Sequence, residues 1–172
     1  RIISSKYLLG GMGDGGGCHP RDNIALSYLA RKLNLSYNWY DNIMKQREKQ
    51  TEWLADLIIS EKFEKKINIL GKCFKPETNM TVGSPSILLK NILEEKGEKV
   101  TMWDPYVDSM NMEEVSKKNN WETEPQLFFI GTKHEAFKHF YFKSGSTVID
   151  PFRYLKLENE ISTENVSETV SS

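Results

Sequence analysis

An α/β fold built on a parallel sheet is predicted for this 172-residue chain by three observations. Four short apolar runs recur along it: Ile67-Asn68-Ile69-Leu70, Val100-Thr101-Met102-Trp103, Leu127-Phe128-Phe129-Ile130 and Thr147-Val148-Ile149. A helical pattern with clear end signals lies between the first two runs, and strand, helix, strand at that spacing is a βαβ unit with parallel strands. A long segment with three- and four-residue apolar spacing precedes them all. Together these describe a Rossmann-like parallel sheet with helices on both faces, preceded by a long helix.

In chain order, residues 1–19 are a glycine-rich leader with little periodicity, and residues 20–63 read as helix. Pro20 suits a first turn, and Asp22 puts a negative charge near the positive helix end. Ile24, Leu26, Leu29 and Leu33 form an apolar face, and Asn34 closes the segment. A second helix is expected over residues 36–62, carried by Tyr37, Tyr40, Met44, Leu54, Leu57 and Ile58. At 1.5 Å per residue it is ~40 Å long. Its middle, Lys45 to Glu52, has no apolar residue, which suits a connector or a dimer strut better than a core helix. Residues 66–155 hold the strands. There Ser84-Pro85-Ser86 opens a helix with Ser at the cap and Pro at the first position. Ile87, Leu88, Ile92 and Leu93 follow, and Gly97 ends it. Residues 156–172 are rich in Ser, Thr, Glu and Asn and are expected to be a disordered tail.

Composition narrows the function classes. The 23 basic and 24 acidic residues leave a net charge of −1, so there is no electrostatic case for nucleic acid or an anionic membrane. No apolar run approaches the ~20 residues of a membrane span. The start, Arg1-Ile2-Ile3-Ser4-Ser5, has no signal-peptide pattern and no initiator Met, so a fragment is expected. Two cysteines make no disulfide framework and point to the reducing cytoplasm, although counting alone leaves a Cys18–Cys73 bridge open.

The chemistry concentrates in Gly13-Asp14-Gly15-Gly16-Gly17-Cys18-His19-Pro20-Arg21-Asp22. Glycines let a backbone approach a ligand closely, and these lead straight into a helix start. A cysteine placed there, with Arg21 nearby, suits a nucleophile. Asp22 follows one helical turn later, where it can orient a water or a substrate hydroxyl. A flexible loop with an incidental buried cysteine explains the spacing equally well. A phosphate-cradling P-loop is disfavoured, because no strand precedes the glycines and no Lys-Ser/Thr ends them. A metal is disfavoured too, since the adjacent Cys18 and His19 are poorly spaced for chelation. The strand ends place Gly71 to Lys75, Asp104-Pro105, Gly131-Thr132 and Asp150 to Arg153 around one crevice. Lys75 and Arg153 there suggest an anionic ligand. Asp104 suits either a ribose contact or a plain turn.

Taken together, these segments resemble the UDP-glucose/GDP-mannose dehydrogenase family. The run ending in Cys18-His19-Pro20-Arg21-Asp22 is similar to that family's active-site signature, with Arg21 in place of the usual Lys. Ile69-Leu70-Gly71, Phe74-Lys75-Pro76, Thr78 and Ser84-Pro85-Ser86 resemble the opening of its C-terminal nucleotide-sugar domain, and Asp104-Pro105 and Asp150 with Arg153 its later landmarks. Val82 stands where the family has an Arg. The resemblance implies a UDP-sugar substrate oxidised at C6 from alcohol to carboxylate, with NAD as cofactor. Cys18 would be the nucleophile and Asp22 its assistant. Lys6, Tyr7, Leu8, Gly13, Gly15, Gly16, Gly17, Phe74, Lys75 and Arg153 would bind substrate. The 36–62 helix would make a homodimer, with Arg1 near a cross-dimer arginine. The family's NAD-binding domain is absent from these residues, so the chain alone is expected to be inactive. A non-catalytic nucleotide-sugar-binding or dimerisation module is the alternative.

Overall fold

The computed structural model describes residues 10–156 and, for the backbone, 162–163. Arg1, Lys6, Tyr7 and Leu8 lie outside the described residues. Two helices come first, α1 (Cys18–Lys32) and α2 (Trp39–Lys62). Then follow β1 (Ile67–Leu70), α3 (Pro85–Glu95), β2 (Val100–Trp103), α4 (Met112–Asn119), β3 (Leu127–Ile130), a 3-10 turn at Glu135–His139, β4 (Thr147–Ile149) and β5 (Ser162–Thr163). The sheet runs β2-β1-β3-β4-β5, and every pair is parallel.

Alternation along the strands divides the core in two. Ile67, Ile69, Leu127, Phe129 and Ile149 face one side, where Leu54, Ala55 and Ile58 of α2 and Leu89 and Leu93 of α3 cover them. Leu70, Phe128, Ile130 and Val148 face the other, against Trp103, Val115, Trp121 and Phe137. Both faces are therefore buried, which is why these strands read as nearly continuous apolar runs. Local signals start the helices as expected. Ser84 caps α3 through its side chain, with Pro85 at the first position. Asn38 caps α2 by accepting from Asp41 N–H.

Three details depart from the sequence reading. The second half of α2 is a core helix, with Leu54, Ala55 and Ile58 at most 5% exposed, because its apolar residues cluster at the carboxyl end. The apolar face of α1 is open: Ile24, Leu29 and Leu33 are 45–60% exposed, and only Ser27 and Ala30 of that helix are buried. Within the segment read as a tail, Ser162 and Thr163 pair with Thr147 and Val148. An edge strand presents an open row of backbone donors and acceptors, which polar residues satisfy as well as apolar ones.

Candidate functional site

The glycine leader lies across the carboxyl end of the sheet. A side-chain carbon on Gly10 would sit 2.8 Å from the Pro151 carbonyl, and one on Gly15 2.8 Å from Phe74 Cβ. Phe74, from the loop after β1, packs against Gly15 and Gly16. Between leader and sheet is a cavity of about 540 Å³, lined by Gly13, Gln50, Phe74, Thr132, Lys133 and Phe152 among others. It sits where an open parallel sheet binds ligands. Of the residues expected to bind substrate, Gly13 and Phe74 line it; Lys75 and Arg153 do not. Lys75 Nζ lies 5.2 Å from the centre of the Phe74 ring, a cation–π contact, and Arg153 is exposed with a φ of 50°.

Cys18 is the first residue of α1 and is exposed, outside the cavity lining. Gly17 at the cap offers no side-chain acceptor to the first-turn N–H groups. Asp22 is one turn further on and accepts from Arg21 Nε at 2.9 Å; both side chains are exposed. Cys73, the other cysteine, is buried, and burial beside Asp104 pushes its thiol up to about 12. Neither cysteine is in a disulfide.

Arg47, in the polar middle of α2, staples the leader down. Its guanidinium donates to the Asp14 carbonyl at 3.3 Å and the Gly83 carbonyl at 3.0 Å, and its Nε lies 3.3 Å from Asp14 Oδ1. The apolar gap over residues 45–52 was the sequence signal for this residue. Gly83 completes the contact from the other side. Its φ is +67°, and a Cβ there would lie 2.3 Å from the Gly16 carbonyl oxygen. Gly83→Ala therefore combines backbone strain with a steric clash, and a loss of about 2–4 kcal/mol is expected in denaturant unfolding. A change under ~0.5 kcal/mol would show that the leader is not docked in this way.

Behind the cavity is a buried clasp joining three strand ends. Asp104 Oδ2 accepts from Lys72 N–H at 2.6 Å and Cys73 N–H at 3.1 Å, and Oδ1 accepts from Tyr106 N–H at 2.8 Å. His134 Nδ1 accepts from Glu77 N–H at 3.0 Å, so the ring proton sits on Nε2 and donates to Asp104 Oδ2 at 3.1 Å. Thr132 Oγ1 donates to the Cys73 carbonyl, and Tyr106 OH to the Glu77 carboxylate. Asp104 is fully buried and committed to backbone donors, so it is a structural anchor and not a ribose contact. The potential donor atoms of Cys73, Asp104 and His134 lie within 4.8 Å of one another. A metal there would have to displace these bonds and take a protonated thiol, so the trio reads as a hydrogen-bonded clasp.

The described residues do not fit NAD. A dinucleotide site needs a tight glycine turn leading from a strand directly into a helix. Here a loop over residues 71–84 separates β1 from α3, and the space a Cβ would take at Gly71 is occupied by Thr132 at 2.6 Å. Among the described residues, no helix is long and apolar enough to cross a membrane.

Comparison with known proteins follows the same lines. Residues 68–157 match the UDP binding domain of the UDP-glucose/GDP-mannose dehydrogenase family. A UDP-glucose 6-dehydrogenase of Caenorhabditis elegans is 35% identical over 117 residues, covering 64% of this chain and 24% of that protein. One from Bacillus subtilis is 30% identical over 106 residues, covering 60% of this chain and 23% of that protein. The chain thus spans about a quarter of the curated relatives it matches. A GDP-mannose dehydrogenase structure from Pseudomonas aeruginosa superposes with a TM-score of 0.70 at 24% identity, over 93% of this chain and 41% of that one. A UDP-glucose dehydrogenase from Pyrobaculum islandicum gives 0.70 at 21% identity, over 95% and 40%.

Proposed function

The chain belongs to the UDP-glucose/GDP-mannose dehydrogenase family, and from that premise we propose that it is the nucleotide-sugar-binding portion of an NAD-dependent nucleotide-sugar 6-dehydrogenase. The observation that carries this reading is the docking of the glycine leader over the sheet's carboxyl end. It puts Cys18, at the start of α1, on the same continuous stretch of chain that walls the 540 Å³ cavity through Gly13. A nucleotide sugar held in the cavity would extend its C6 along the leader toward that thiol.

In this reading the Cys18 thiol adds across the C6 aldehyde, forming an S–C bond and a hydroxyl, which is a thiohemiacetal. At the later thioester, water attacks the acyl carbon, Asp22 assists removal of its proton, and the sulfur leaves as the thiol, releasing the carboxylate. Between the two, the Cys18-bound thiohemiacetal has to lose a hydride to become the thioester; NAD would be the acceptor for this and for the first oxidation, and the described residues of this chain hold the substrate and not the acceptor. A homodimer through residues 36–62 belongs to the same proposal. Its support is the exposed apolar surface of Tyr37, Trp39, Ile43 and Trp53, which are 36–63% exposed.

Calorimetric titration of the chain tests the binding half. Saturable binding of UDP-glucose or GDP-mannose is expected, without saturable binding of NAD. The reverse pattern, NAD bound and nucleotide sugars ignored, overturns it. The exposure of Cys18 outside the cavity lining favours a second reading, a non-catalytic nucleotide-sugar-binding module. Substitution of that thiol separates the two.

A further inference from the structure

The cavity under the leader has an electrostatic feature that neither its aromatic walls nor the expected cations account for. Among the residues lining it, Lys133 carries the one formal charge, and no carboxylate is present. Most other lysines of this domain are neutralised: Lys72 by Asp108 at 2.6 Å, Lys66 by Glu124 at 2.8 Å, Lys138 by Glu135 at 2.9 Å. Lys75 rests over the Phe74 ring. Lys133 has an exposed side chain and, among the described residues, forms neither an ion pair nor a hydrogen bond.

Its backbone, by contrast, is held on both sides. Thr132 is 2% exposed and tied to the Cys73 carbonyl; His134 is 0% exposed and fixed between Asp104 and Glu77 N–H. The clasp therefore fixes the point from which this side chain leaves the end of β3 while leaving the ammonium free. An ammonium with three donors, in a recess without acidic groups, is matched by a phosphate. The amino terminus of α3 borders the same space through Pro85 and adds to the positive potential there.

We propose that Lys133 binds the diphosphate of the nucleotide sugar and supplies the main charge contact in the cavity, ahead of Lys75 and Arg153. The proposal rests on the nucleotide-sugar reading above. Its chemistry is that of any nucleoside diphosphate sugar, since the contact is to phosphate and not to base or hexose.

Affinities of UDP-glucose, UDP and uridine for the wild-type chain, Lys133→Met and Lys133→Arg, at low and high salt, test it. Lys133→Met is expected to weaken UDP-glucose and UDP about tenfold or more and to flatten their salt dependence. Uridine, which has no phosphate, is expected to bind all three equally. Lys133→Arg is expected to recover most of the loss. Because Lys133 is exposed and, among the described residues, unpaired, its variants should unfold at the wild-type temperature. Wild-type affinity and salt dependence in Lys133→Met overturn the assignment and leave nucleotide-sugar binding intact. Failure of the wild-type chain to bind either phosphate-bearing ligand overturns both.

Discussion

Cys18→Ser is expected to end carboxylate formation in a polypeptide that joins this chain to an NAD-binding domain, by on the order of 10³-fold or more. Serine differs from cysteine by one atom, and residue 18 is exposed, so fold and nucleotide-sugar affinity should be preserved within about twofold. What changes is the reaction. A hydroxyl is a far weaker nucleophile than a thiol, and it cannot give the thioester that water opens. The measurement is uronate released per mole of enzyme, with UDP-sugar affinity followed in parallel. Loss of product with affinity retained places Cys18 on the reacting carbon. Wild-type turnover by the variant would falsify the catalytic assignment and leave the non-catalytic binding module. Cys73→Ser is the control. That thiol is buried and held protonated, so the substitution should leave turnover unchanged.

How much of this was readable in the sequence depended on how local each signal was. The strands β1 to β4 coincide with the four apolar runs, because both sheet faces are covered and every strand residue has to be apolar or paired. The start of α3 was legible from a cap and a proline lying side by side. Helix α4 was not singled out, since Met112 and Val115 are its only apolar residues. Its real signal was the reciprocal cap between Asn111 and Glu114. Along the cavity wall, the glycine leader stood out by its own spacing, and Phe74 only through the family resemblance of Phe74-Lys75-Pro76. Lys133 was not legible, because a lysine after a strand is ordinary until its neighbours are seen to lack acids. The pairing of Asp104 with His134 was beyond reach for a different reason. The two are 30 residues apart, and only the adjacency of β2, β1 and β3 brings their ends together.

That pairing carries the second large effect. Asp104→Ala is expected to destabilise the fold by about 3–5 kcal/mol, because it leaves the N–H groups of Lys72, Cys73 and Tyr106 and the His134 ring proton without an acceptor in a buried space. The pH dependence of stability provides an independent check. Burial alone would raise the Asp104 carboxyl, but hydrogen bonds from His134, Lys72 N–H and Tyr106 N–H outweigh it and lower the group from 3.8 to about 2. A carboxyl whose folded value is depressed stabilises fully above its unfolded value. It loses that contribution as the pH falls through the folded one. The wild type should therefore lose about 1.5–2 kcal/mol between pH 4 and pH 2 from this group alone. Asp104→Ala cannot lose what it no longer has, so the gap between the two proteins should narrow over that window. Denaturant titrations at pH 7, 4 and 2.5 read both quantities. A variant within 1 kcal/mol of wild type at pH 7, or a gap constant down to pH 2.5, would mean that the strand ends are held without this carboxylate. In that case the fixed stance of Lys133, which depends on His134, would have to come from the sheet itself.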